Sequence, residues 1–134
     1  DQNVAILRFF NVYGEGQRDE GGYLSAIPIF LKQYKNNEPL TVTGDGKQTR
    51  DFVYVGDVIE AMEKSIRFNG VLNIGSGEEI SIIDVAKTFS IKEYIKFIPE
   101  RKEIKRSRAD IYNAYWWINW KPKTSLTEWI KSKL

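Results

Sequence analysis

Arg50 has the clearest chemical aptitude in this chain of 134 residues. It sits in Gly44-Asp-Gly-Lys-Gln-Thr-Arg-Asp-Phe-Val-Tyr-Val-Gly-Asp57. A guanidinium is permanently charged and presents a planar fork of donors that matches phosphate or carboxylate oxygens. The structural alternative is an ion pair with Asp51 or Asp57. Neighbours along a strand point to opposite faces, so Asp51 is a poor partner, and Asp57 is better explained as a helix cap. Asn11, in Arg8-Phe-Phe-Asn-Val-Tyr-Gly14, offers two N–H donors without adding charge, or else closes an Asx turn at a strand end. These groups suit gripping an anion rather than breaking a bond.

What the chain lacks narrows the chemistry further. It has no cysteine, which excludes disulfides and thiolate metal sites, and no histidine, which excludes any Ser-His-Asp arrangement within it. Acid–base work would fall to Asp, Glu, Lys or Tyr. A net charge of +2 is too small to argue for nucleic acid, and the basic run from Lys92 to Arg108 reads as solvated surface. No apolar run approaches the length needed to span a bilayer. The length allows one domain at most. The start at Asp1-Gln2-Asn3, without methionine, suits a fragment or a processed chain.

The elements that must position these groups alternate between strand and helix. Val4–Phe10 is nearly continuous in apolar residues, as expected of a strand buried on both faces of a parallel sheet. It ends in Asn11-Val-Tyr-Gly14 and a glycine-containing loop through Gly21 and Gly22. A helix is expected from about Ala26 to Lys35, with Pro28 in its first turn. Leu40–Thr43 and Thr49–Val55 read as two strands of a hairpin turning at Gly44-Asp-Gly46. Alternation sets Arg50, Phe52 and Tyr54 on one side and Asp51, Val53 and Val55 on the other. Asp57-Val-Ile-Glu60 has the pattern of a capping box, opening a helix that presents Val58, Met62, Ser65 and Ile66 on one face. Ser81-Ile-Ile-Asp84 and Ser125-Leu-Thr-Glu128 carry the same start signal. Val71–Ile74 is a short buried strand, and Tyr115, Trp116, Trp117, Trp120 and Trp129 read as packing of a tail helix. The fold class is α/β, with one or two strands contributed to a larger parallel sheet.

Three ordered motifs, Arg8–Gly14, Gly44–Asp57 and Asn73-Ile-Gly-Ser-Gly77, with a closing Asn119-Trp-Lys-Pro122, resemble the C-terminal half of the extended short-chain dehydrogenase/reductase family across nearly the whole chain. This family comprises NAD-dependent nucleotide-sugar epimerases, dehydratases and decarboxylases. The resemblance implies a C-terminal portion of a Rossmann-type enzyme, residues 1–134, that binds a UDP- or dTDP-sugar. The glycine-rich NAD fingerprint and the Tyr-x-x-x-Lys pair belong to the N-terminal portion, so no catalytic residue is expected here. NAD is the implied cofactor of the complete enzyme, not bound tightly by this chain.

By the same resemblance, Phe9 lies beside the nicotinamide carboxamide, Asn11 contacts the sugar-nucleotide phosphates and Arg50 binds the diphosphate. Val42 and Thr43 are implied to meet the pyrimidine base through their backbone. Ser25 matches a polar position near the nucleotide sugar, or serves only as an N-cap. The family's Arg-Pro-Gly-Asp is replaced by Glu100–Asp110, without Pro-Gly; Arg101 is the nearest match to its arginine, with Lys102 or Arg106 as substitutes. The stretch between Val85 and Pro99 reads as compressed relative to the family. Phe52 and Asp51 favour the UDP-sugar epimerase branch over the dTDP-glucose dehydratases, which tend to carry Trp, and the UDP-glucuronate decarboxylases, which tend to carry Ser, at those respective positions. The implied partners are a missing N-terminal half or a second copy, and the implied location is the cytoplasm. The other function classes are a non-catalytic nucleotide-sugar binding module and an inert fragment.

Overall fold

The apolar run at the start of the chain forms β1 (Ala5–Phe9), paired in parallel with β6 (Gly70–Ile74), Ala5 opposite Gly70 and Phe9 opposite Ile74. The protein is seen in a computed structural model that describes residues 4–21, 24–89 and 94–134. The expectations attached to Asp1–Asn3, to Gly22 and to part of the Val85–Pro99 stretch therefore lie outside the described residues. After β1 the chain changes partner. The Phe10 N–H donates to the Ile74 carbonyl, the Asn11 N–H donates to the Asp51 carbonyl, and β2 (Asn11–Tyr13) continues in parallel beside β5 (Phe52–Tyr54). Asn11 therefore marks the point where one continuous strand passes from one parallel pair to another.

Helix α1 (Ala26–Lys35) follows, with Pro28 in its first turn. Strand β3 (Leu40–Thr43) pairs in parallel with β8 (Ile95–Ile98), and β4 (Thr49–Arg50) pairs antiparallel with β7 (Ile80–Ser81). The hairpin expected from Leu40 to Val55 does not form. The turn between those strands is pressed onto α3 (Ile82–Phe89), whose first N–H groups, of Ile82 and Ile83, donate to the carbonyls of Gln48 and Gly46. Gly46 lies so close that an added Cβ would stand 2.6 Å from Val42 and 2.8 Å from Ile83. Held there, the chain leaves the turn toward β7 instead of folding back along β3.

Two apolar clusters fill the interior. Tyr13, Ile27, Phe30, Val42, Phe52, Phe89 and Trp129 pack beneath α1, α3 and α5 (Leu126–Lys131). Val53, Val58, Ala61, Leu72, Ile74 and Trp120 pack between β6, α2 (Val55–Lys64) and α4 (Tyr112–Ile118). Phe52 and Val53 thus feed different clusters, as strand alternation requires. Burial on both faces, expected of β1, is not realised: Leu7 packs inward, but Ile6 on the opposite face and Phe9 at the strand's end are exposed, as is Val4 just before it.

The helix signals are realised unevenly. Ser125 caps α5 by accepting from the Glu128 N–H, and Ser81 accepts from the Asp84 N–H at the start of α3. Asp57 is not a cap: α2 begins at Val55, and the buried Asp57 carboxylate accepts from the backbone N–H groups of Lys123 and Thr124, each at 3.0 Å. The Trp120 indole N–H donates to the Asp57 carbonyl, so one turn of α2 secures the whole Trp120–Thr124 segment. On α2, Val58, Ala61 and Ser65 face inward; of the expected face Val58 and Ser65 are buried, whereas Met62 and Ile66 are exposed. The aromatic end also divides, with Trp120 and Trp129 buried and Tyr115, Trp116 and Trp117 exposed.

Asp51 joins the parts. Its carboxylate, 0% exposed, accepts from the Ser76 N–H (2.6 Å) and hydroxyl (2.8 Å), the Gly77 N–H (2.9 Å) and the Ala109 N–H (2.9 Å). Asp51→Ala leaves three backbone donors without their acceptor. At about 1–3 kcal/mol for each unsatisfied group, a loss of roughly 3 kcal/mol or more is expected, measured by urea unfolding. A loss below about 1 kcal/mol, the net value of one ordinary hydrogen bond, would contradict this role.

Candidate functional site

The partner switch at Asn11 opens a cleft beside the N-terminus of α1. Asn11, Ser25, Thr43, Gln48, Arg50, Arg101 and Glu103 supply its polar lining, with Phe30, Phe52 and Ile82 behind them. Strand ends at a change of connectivity are where ligands settle in α/β sheets.

Arg50 reaches this cleft because Asp51, the next residue, is drawn to the opposite side of the strand. The Arg50 Nη1 donates to the carbonyls of Thr49 and Ile104, both at 2.7 Å, and Nη2 donates to Glu103 Oε2 at 2.7 Å. Neither Asp51 nor Asp57 is its counter-ion. The Arg50 and Glu103 side chains are 13% and 17% exposed, so the pair is largely withdrawn from water while remaining on the cleft wall. Glu103 Oε1 also accepts from Gln48 Nε2 (3.3 Å) and lies 3.7 Å from Arg101 Nε. Gln48 Nε2 is in turn bound to the Thr43 carbonyl at 3.1 Å.

The other expected site residues fall as follows. Ser25 stands at the N-cap position of α1, yet its side chain makes no cap bond and instead accepts from Gln17 Nε2 at 3.2 Å. Thr43 lines the cleft, whereas the Val42 side chain is fully buried in the first cluster, leaving only its backbone for a ligand. Of the three basic candidates in the Glu100–Asp110 stretch, Arg101 lines the cleft; Arg106 is paired to Glu79, and Lys102 stands outside the lining. Phe9 lies at the C-terminal end of β1, 47% exposed and outside this cleft. Glu103 and Gln48 escaped the sequence reading. Glu103 was hidden as one acid among many bases, and Gln48 as an ordinary turn residue.

A second cluster braces the loop that leaves β2. Glu15 accepts from the Tyr54 hydroxyl (2.8 Å), the Trp129 indole N–H (3.0 Å) and the Lys133 ammonium (2.7 Å). The Lys133 contact first, then backbone, Tyr54 and Trp129 donors, hold its carboxyl down at about 2, well below the ordinary 4.5. The same bond pushes the Tyr54 phenol up. Burial, reinforced by the charge of Asp57, raises the Tyr13 phenol, whose hydroxyl has no partner among the described residues. This cluster borders a wider opening with Lys32 and Lys35, on the other side of α1 from the Arg50 cleft. Among the described residues, no cluster of three or more Asp or Glu could hold a metal ion, and no helix is long and apolar enough to cross a membrane.

Because its folded pKa is depressed, Glu15 contributes stability fully present above its unfolded value near 4.5 and lost as pH falls toward about 2. Thermal melts between those limits are expected to fall more steeply for the native chain than for Glu15→Gln. Parallel pH profiles for the two would contradict the assignment.

Residues 1–75 match the model of the NAD dependent epimerase/dehydratase family. A putative UDP-glucose 4-epimerase of Methanocaldococcus jannaschii is 42% identical over 95% of this chain, and the chain spans 43% of its length. The crystal structure of UDP-glucose 4-epimerase from Thermotoga maritima with UDP-glucose superposes with a TM-score of 0.87 at 31% identity, over 95% of this chain and 43% of that one. A UDP-glucuronic acid 4-epimerase from Bacillus cereus, solved with a fluorinated UDP-glucuronic acid and NAD, gives 0.83 at 32% identity, over 96% and 43%. The chain therefore spans less than half the length of each of these relatives.

Proposed function

We propose that this chain, which belongs to the NAD dependent epimerase/dehydratase family, is the nucleotide-sugar-binding half of a UDP-sugar 4-epimerase. The family has Rossmann-type architecture and uses NAD. The observation that carries the reading is the convergence of Arg50, Arg101 and Asn11 on one cleft, with Ser25 and Thr43 at its rim. In this reading Arg50 and Arg101 meet the diphosphate as a charged pair, and the Asn11 amide donates to a phosphate oxygen without adding to the charge. The Thr43 and Val42 backbone faces the pyrimidine, which leaves the sugar toward Ser25 and the exposed end of β1.

The half seen here acts by position. Gripping the nucleotide converts binding energy remote from the reacting carbon into orientation of the sugar ring, the part of the substrate that must react. Phe9 fits the cofactor as a flat apolar wall, being aromatic, half-exposed and at the carboxyl end of a parallel strand. It is the one residue of this chain assigned to that group. NAD, when bound, supplies the hydride acceptor, and its phosphates are held by the portion that the longer relatives carry beyond this chain. The same portion covers the exposed Val4 and Ile6 and extends the sheet from the open side of β1, since a strand with an apolar outer face seeks a partner.

The test is calorimetric titration of the chain with UDP. Arg50→Ala is expected to weaken binding by roughly 1.5–3 kcal/mol, the range for hydrogen bonds to charged groups. Arg50→Lys recovers part of this, because an ammonium keeps the charge without the fork. Unchanged UDP affinity in Arg50→Ala, together with a collapsed melting temperature, would mean that Arg50 serves only the fold.

A further inference from the structure

Arg50 does not wait empty-handed for an anion. A guanidinium has five N–H donors. Three are spent within the protein: two Nη1 hydrogens on the carbonyls of Thr49 and Ile104, and one Nη2 hydrogen on Glu103. The two carbonyl bonds fix the plane of the group. The Glu103 bond differs in kind, because it places a full negative charge on the cleft wall at the site proposed for a diphosphate. The contact is 2.7 Å long and mostly shielded from solvent, where charges interact strongly.

We propose that Glu103 is a resident counter-ion of the cleft: it neutralises Arg50 in the ligand-free chain and yields the guanidinium when a nucleoside diphosphate enters. The inference rests on the nucleotide-sugar reading above. An incoming phosphate oxygen bonded to Nη2 would lie within a few ångströms of the Glu103 carboxylate, and like charges so placed disfavour one another. Glu103 has somewhere to go. Its Oε1 already accepts from Gln48 Nε2 at 3.3 Å and lies 3.7 Å from Arg101 Nε, so the carboxylate can turn toward the Gln48 amide while Arg101 stays at the cleft. A small rotation of the carboxylate about these contacts releases Nη2 without unfolding the segment, whose backbone stays tied where the Thr49 N–H donates to the Lys105 carbonyl.

The consequence is selectivity by charge. A ligand must carry enough negative charge to displace a carboxylate, so a diphosphate gains Arg50 whereas an uncharged nucleoside leaves the Arg50–Glu103 pair in place. Glu103 is thus a specificity-determining residue that opposes binding, the reverse of an anchor that holds Arg50 ready.

Titration calorimetry of the native chain, Glu103→Gln and Glu103→Asp with UDP and with uridine separates these roles. Glu103→Gln keeps the shape and an oxygen for Arg50 but removes the charge. It is expected to bind UDP about tenfold more tightly, the low end of the coupling measured for close charge pairs, with uridine affinity unchanged. Glu103→Asp keeps the charge and is expected to bind UDP less tightly than Glu103→Gln. It also supplies the comparison with the native chain should the glutamine variant fail to fold, remaining within about threefold of native, the usual context scatter of one interaction, if charge is what matters. Unchanged or weaker UDP binding by a folded Glu103→Gln overturns the counter-ion role and leaves the nucleotide-sugar reading standing. Absence of UDP binding by the native chain and by every variant removes that reading, and this inference with it.

Discussion

The structure depends on one buried carboxylate. Asp51 has no cation as a partner among the described residues; its charge is answered by three backbone N–H groups and one hydroxyl. Hydrogen bonds to an ionised acceptor are the strong ones, and a preorganised nest of N–H dipoles accepts a negative charge without importing a positive one. The donors come from Ser76 and Gly77, after β6, and from Ala109, ahead of α4. A single side chain therefore joins the end of a sheet strand, the strand that carries Arg50 and the segment that carries Arg101 and Glu103. Gly75 reflects how close these parts lie: a Cβ there would stand 2.5 Å from that of Ala109 and 2.9 Å from Asp51 Oδ2.

The cleft inherits its geometry from that knot. With Asp51 drawn inward, strand alternation turns Arg50 outward beside Phe52, and Asn11 is set opposite by the bond from its N–H to the Asp51 carbonyl. The segment from Arg101 to Arg108 has no regular secondary structure, yet its second half is held, by Asp51 at Ala109 and by the Thr49 N–H at Lys105. Arg106 ties the same segment to Glu79, whose carboxyl is held low by that bond and by the Thr49 hydroxyl. Ahead of these ties Arg101 and Glu103 line the cleft. The arrangement provides a floor fixed by backbone hydrogen bonds, with the charged side chains of Arg50, Arg101 and Glu103 on the cleft wall.

Much of this was legible where the signal is local. The span of α1, the caps at Ser81 and Ser125 and the alternation that separates Arg50 from Asp51 all follow from residue spacing. The expectations that failed depend on tertiary contacts. The Gly44-Asp-Gly46 turn reads as a hairpin, but the neighbours that decide its course are Ile82 and Ile83, far along the chain. Asp57 has the spacing of a cap, yet its carboxylate is claimed by Lys123 and Thr124. On α2 the expected inner face holds at Val58 and Ser65 and fails at Met62 and Ile66, because hydrophobicity alone does not reveal which of two adjacent apolar stripes meets the sheet. Glu103 was illegible for a related reason: its importance arises from a pairing across more than fifty positions of sequence.

The central claim is that this cleft, organised from below by Asp51, receives a nucleoside diphosphate. Its most direct test is an NMR titration of the isotopically labelled chain with UDP. The account predicts saturable shifts of the Asn11 and Gln48 side-chain amides, the Arg50 guanidinium and the Thr43 backbone. The Trp129 indole N–H, across α1 at Glu15, should stay in place. Shifts centred on Glu15, Trp129 and Lys133, or no saturable shift at all, would contradict it.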